Sequence, residues 1–99
     1  MAPFSIDTDK LSKMCGQYDI SFLGIFGSYA RGDFTAKSDL DLLAKFSKKK
    51  SLLDLVKTER AFSDAFNVKV DLLTEKSLSP YLREKIMGGL KVVYDREKR

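Results

Sequence analysis

The sequence predicts an α/β (α+β) fold, a single mixed sheet of about three to four strands with helices on one face. Three observations lead there. Segments with apolar residues every three or four positions alternate along the chain with short runs rich in Val, Ile, Leu and Phe. Gly16, Gly32, Pro80 and the pair Gly88-Gly89 punctuate the edges of those segments. The 99 residues, 43% hydrophobic and 32% charged and without a visible repeat, suit one domain spanning 1–99.

Taken in order, Asp7 to Gly16 reads as a helix capped by Asp7 or Thr8, with Leu11, Met14 and Cys15 on one face and Gly16 as its end. Ile20 to Phe26 is a buried strand. Ser28 to Arg31 forms a short helical turn directly after Gly27, closed by Gly32-Asp33. A second strand, Asp39 to Phe46, alternates carboxylate with leucine. Lys48 to Lys50 is a loop, and Ser51 with Asp54 makes a capping box for a helix running to about Phe66. Its residues Leu52, Leu55, Val56, Phe62 and Phe66 fit one apolar stripe. Val68, Val70 and Leu72 mark a third strand. A helix from Ser79 to Met87 carries Pro80 in its first turn, Leu90 to Tyr94 is a short last strand, and Arg96 to Arg99 is a solvated tail.

Composition narrows the chemistry. With no histidine and one cysteine, neither a Ser-His-Asp or Cys-His site nor a zinc site of His and Cys is available. Carboxylates, hydroxyls, Lys/Arg or a metal held by oxygen must do the work. Cys15 reads as a small filler near a helix end, and a lone cysteine without a signal-peptide pattern points to reducing cytoplasm. No apolar run is long enough to span a membrane. The formal charge of +4 would assist encounter with phosphates or acidic partners without a strong nucleic-acid footprint. A chain this small must have any large substrate gripped by a partner or a second copy, so a homo-oligomer or hetero-oligomer is expected.

Three constellations carry chemistry. Gly27-Ser28 sits where a strand turns into a helix, and glycine there lets a phosphate approach backbone N–H groups, although the pair also reads as a turn glycine with a serine cap. Asp39 and Asp41 point to one face of their strand about 6.5 Å apart, a repulsion of about 2.5 kcal/mol at an effective dielectric of 20. A cation, solvent or protonation relieves it, and such pairs suit Mg²⁺, though a half-exposed strand gives the same pattern. Asp71, alone a surface aspartate, joins that face if its strand neighbours theirs.

Gly27-Ser28-Tyr29-Ala30-Arg31-Gly32 followed by Ser38-Asp39-Leu40-Asp41-Leu42 resembles the signature of the minimal nucleotidyltransferases, a branch of the DNA polymerase β-like superfamily, and Asp71 falls at that family's third carboxylate. The resemblance implies the nucleotidyltransferase fold and AMP transfer from ATP to a hydroxyl acceptor. By that implication Gly27 and Ser28 hold the β and γ phosphates, and Asp39 and Asp41 ligate Mg²⁺. Asp71 completes a second metal position and helps deprotonate the acceptor, while Arg31 reaches the triphosphate or pairs with Asp33. The branch commonly forms one half of a toxin-antitoxin pair with a helical HEPN toxin. That implies an antitoxin adenylylating its toxin, on a tyrosine. Two alternatives stay open: an antitoxin that neutralises its partner by binding alone, and a nucleotidyltransferase acting on RNA or a small molecule.

Outside the motif, Lys37 and the Lys48 to Lys50 run could attract a nucleotide or an acidic partner, but solvated loops account for them as well. Lys69 shares the Asp71 face. Tyr29, Tyr81 and Tyr94 are expected to pack rather than to react.

Overall fold

Four strands build the sheet: β1 (Ile20–Phe26), β2 (Leu40–Phe46), β3 (Val70–Thr74) and β4 (Lys91–Asp95), in the order β3-β2-β1-β4. β1 runs antiparallel to β2 and β4, and β2 runs parallel to β3, so the sheet is mixed. The computed structural model describes residues 7–96; Pro3 and the expected tail after Arg96 lie outside them. Parallel neighbours need a long crossover, and α3 (Leu52–Phe66) supplies it between β2 and β3.

The remaining helices are α1 (Thr8–Gln17), α2 (Ser28–Arg31) and α4 (Pro80–Met87). Asp7 caps α1 by accepting the Lys10 N–H at 3.1 Å. α1 does not stop at Gly16 but runs to Gln17, and the chain reverses at Asp19, whose φ is 60°. Aspartate tolerates that conformation, and its carboxylate is held by Lys50 at 2.8 Å and Lys48 at 3.7 Å. The capping box of α3 forms as read: Asp54 N–H donates to Ser51 Oγ at 3.1 Å and Ser51 N–H to Asp54 Oδ2 at 3.0 Å. Asn67, at φ 54°, ends α3, and Ser63 Oγ donates to the Val68 carbonyl. Val68 therefore belongs to the turn and β3 starts at Val70.

β2 presents Leu40, Leu42 and Ala44 to one face, where they meet Leu23 and Ile25 of β1 and Val70 of β3. Leu11 and Cys15 of α1 and Phe62 of α3 complete that core. Alternation sends Asp41, Leu43 and Lys45 to the other face. Leu43 is nonetheless fully buried, and Leu90 packs over Gly24, its partner across the ladder, so the α4–β4 segment shields the middle of this side. Glu75 ties that segment down by bonding Lys45 and Arg83 of α4.

Two expectations are corrected. Leu55 and Phe62 face the sheet with Thr58 between them, but Leu52 and Val56 do not: they are 78% and 45% exposed. Buried Thr58 satisfies its hydroxyl on the Asp54 carbonyl at 2.8 Å, and with Thr58 and Phe62 on the inward side of the helix, Leu52 and Val56 fall outside it. Tyr29 and Tyr94 pack against the core, whereas Tyr81 is 77% exposed.

Candidate active site

The C-terminal end of β1 delivers Gly27, which takes φ 75° and ψ −151°, a backbone conformation open to glycine and little else. That turn starts α2, whose first bonds run from Ala30 and Arg31 N–H to the Gly27 carbonyl, both at 3.1 Å. The first N–H groups of any helix lack carbonyls within it, so Ser28 stands where an anion finds donors. A β carbon at Gly27 would fall on Oδ2 of Asp41. The glycine is thus required twice, by its φ and by the carboxylate beside it.

Asp41 sits on β2, paired with Phe26 across one ladder and with Asp71 across the other. The two aspartates therefore share the face the sequence assigned them. Asp39 lies just before β2, which begins at Leu40 rather than at Asp39. Burial first, then the charges of Asp71 and Asp39, push the Asp41 carboxyl above the usual carboxylate range, and Arg31 opposes them. Asp71, Asp39 and Arg31 are therefore all near enough to act on Asp41. Arg31 itself pairs with Asp33, Nε to Oδ2 at 3.2 Å, with both side chains mostly exposed. Of its two expected partners the structure shows Asp33, and its charge also reaches Asp41.

Among the described residues, no group of three His, Cys, Asp or Glu side chains is gathered closely enough to hold a metal ion. Asp39, Asp41 and Asp71 are thus not a closed ligand cage. Their chemistry still suits a hard cation: the carboxylates of Asp71 and Asp39 lie near that of Asp41, and burial followed by their charges raises the proton affinity of Asp41.

One contributor escaped the sequence reading. The Ser38 hydroxyl accepts the Thr35 N–H at 2.8 Å while Ser38 N–H donates to the Thr35 carbonyl at 3.0 Å. This turn feeds Asp39 toward β2, and the Thr-x-x-Ser spacing was its available signal. Tyr29 and Phe34 stack at 4.2 Å and brace the same loop. By contrast, Lys48 to Lys50 lie at the far end of β2 around a cavity of about 540 Å³, away from the aspartates.

The family model of the polymerase beta nucleotidyltransferases matches residues 9–99. A Methanocaldococcus jannaschii protein named as a protein adenylyltransferase, MJ0126, is 41% identical over 75 residues, covering 75% of this chain and 76% of its own. Protein adenylyltransferase MntA of Thermococcus cleftensis is 30% identical over 91% of this chain and 89% of its own. Among solved structures, a toxin-antitoxin complex with AMP-PNP superposes with a TM-score of 0.80 over 94% of this chain and 77% of the other, at 19% identity. A Shewanella oneidensis complex of a tri-AMPylated HEPN toxin with an MNT antitoxin gives 0.69 over 89% and 69%, at 18%. These two show a shared fold. With the Gly27 turn and the aspartates of β2 and β3 in place, the match over nearly the whole chain settles its membership: it belongs to the polymerase β nucleotidyltransferase family.

Proposed function

We propose that this chain, as one minimal nucleotidyltransferase domain in the cytoplasm, transfers AMP from ATP to a tyrosine hydroxyl of a helical HEPN partner and thereby silences it as a toxin. The observation that carries the reading is the seating of Asp41 against Gly27, with Asp71 as its ladder partner. The Gly27 turn and the carboxylates meet at one place, which suits phosphates held beside acidic groups. The name of the T. cleftensis relative and the AMPylated toxin beside the S. oneidensis antitoxin support the acceptor class.

Gly27 and Ser28 would hold the β and γ phosphates through backbone donors, with Arg31 adding charge from the next turn of α2. Asp39 and Asp41 would ligate Mg²⁺, and Asp71 would complete a second cation position; such cations neutralise phosphate charge and polarise the phosphorus. The acceptor oxygen attacks the α-phosphorus in line, the bond to the bridging oxygen of the β phosphate breaks, and pyrophosphate leaves. Exposed Asp71 takes the hydroxyl proton. A tyrosine, with a pKa near 10, needs such a base at neutral pH.

The test combines the chain, Mg²⁺, labelled ATP and the HEPN protein encoded beside it. Label should move to that protein and disappear with Asp39→Asn or Asp41→Asn. Neutralisation that proceeds equally without ATP, or with both variants, would establish a partner-binding antitoxin instead.

A further inference from the structure

The side of α3 that the sheet leaves bare carries an exposed aliphatic patch. Leu52, Leu53 and Val56 are 78%, 62% and 45% exposed. At roughly 100° per residue they occupy about 100° of arc beside the inward line of half-buried Leu55 and buried Thr58 and Phe62. Exposed Arg60 falls in the same arc, and exposed Lys57 lies about 40° beyond it. No carboxylate between Leu52 and Arg60 shares it, because Asp54 points well round the helix and Glu59 turns to β3, accepting the Leu72 N–H at 2.8 Å. Three large aliphatic side chains gathered in one arc mark a patch for a protein partner rather than scattered surface residues.

Charge supplies an independent observation. The lysines preceding α3 line the basal cavity together with Lys45 and Lys76. Two carboxylates here each serve two cations, Asp19 for Lys48 and Lys50, Glu75 for Lys45 and Arg83. Lys49 and Lys76 have no ion pair among the described residues. With Asp54, which feels the charge of Lys50, six cations against three carboxylates leave this end with a surplus of +3. An acidic partner is therefore steered to the base of the sheet and not to the aspartate end. Nucleic acid fits less well, since the exposed apolar side chains of this arc of α3 are aliphatic and offer bases no stacking face.

We infer that the N-terminal half of α3 and the lysine cavity beside it dock an acidic, aliphatic-rich helical face of the partner protein. The inference rests on the proposed reading that a partner protein is the acceptor, and it names how that partner is held. Phe46, at the cavity, lies about 17 Å along β2 from Asp41. Docking at the base leaves the nucleotide end open, and the acceptor tyrosine must sit on a segment of about five or more extended residues to reach it.

Two paired variants test this, Leu53→Asp with Val56→Asp and Lys49→Glu with Lys76→Glu. All four side chains are exposed, and circular dichroism melts confirm folding. Calorimetric titration with the HEPN protein encoded beside the chain, without ATP and in an Asp41→Asn background, reads docking apart from transfer. Each pair should weaken Kd at least about tenfold, and the lysine pair should flatten its salt dependence. With Asp41 restored, the KM for the partner should rise while kcat at saturation holds. Unchanged Kd in both pairs, or no binding by the parent, overturns the inference. Weakened Kd without label transfer in the parent keeps the docking surface and removes the adenylylation reading; transfer with unchanged Kd does the reverse. Lost affinity for poly(U) with partner binding intact would make this a nucleic-acid surface. A parent dimer that the variants dissociate, again with partner binding intact, would make it a self-interface.

Discussion

Asp41 on β2 and Asp71 on β3 are partners across the parallel ladder, so two carboxylates leave one face of the sheet on neighbouring strands. Burial, Asp71 and Asp39 raise the Asp41 pKa in the folded chain. A carboxyl with a raised folded-state pKa holds its proton more tightly when native, so its stabilising contribution is complete below the unfolded value and lost as pH rises through the folded one. At pH 7 the ionised group opposes folding. Asp41→Asn should therefore raise Tm at pH 7, with the gain shrinking below about pH 4, while adenylyl transfer falls at least about a hundredfold. Melting curves across pH check the first part and label transfer the second; a Tm below the parent at pH 7 contradicts it.

Gly27 and Gly32 both have positive φ, 75° and 86°, but differ in what surrounds them. A β carbon at Gly32 meets nothing within 4 Å, whereas one at Gly27 lands on Asp41. Gly32→Ala should cost about 1 kcal/mol of backbone strain. Gly27→Ala should cost more, about 1 to 3 kcal/mol from its glycine-only conformation with the Asp41 collision added. Urea midpoints measure both, and ATP titration should show lost affinity for Gly27→Ala alone. Equal midpoints would mean that Asp41 moves aside freely.

Local signals and non-local ones fared differently in the sequence. The bounds of β1 and α2 and the start of α3 were readable because Gly27, Gly32 and the Ser51-Asp54 box fix them within a few residues. The sharing of a face by Asp41 and Asp71 depended on β2 lying beside β3, which no local pattern dictates. Leu52 and Val56 show the same limit. Periodicity located an apolar side of α3, but how much of that side is covered depends on how the helix is rotated over the sheet. Gly16 looked like a stop, yet the reversal came at Asp19, whose stabilising lysines lie some thirty residues later, Lys50 being 31 away. Ser38 belongs to the motif by sequence, but its turn-closing bond to Thr35 depends on the path of the loop.

Cys15 is fully buried in the core, and burial pushes its thiol up to about 12. The thiolate is the reactive form, so native Cys15 should be inert. At pH 8 its labelling by a disulfide reagent should run at least about a thousandfold slower than a free thiol and accelerate with urea in step with unfolding. Rapid stoichiometric labelling without denaturant would show that α1 opens readily from the sheet.

Phe62 has no exposed surface and holds α3 against both the sheet and α1, with its ring 6.4 Å from Tyr18 and 6.1 Å from Phe66. Truncation to alanine removes a buried ring and leaves a cavity, a cost of about 3 to 5 kcal/mol. A domain has only about 5 to 15 kcal/mol in total, so Phe62→Ala should be partly unfolded at 37 °C. Phe62→Leu keeps most of the volume and should cost less than about 1.5 kcal/mol. The two variants also separate the halves of the molecule. Asp41 and Gly27 are positioned by β1 and β2, so Phe62→Leu should keep ATP affinity at the parent value in calorimetry. A marked loss in that variant would mean that the seating of α3 reaches the nucleotide end through β3 and Asp71.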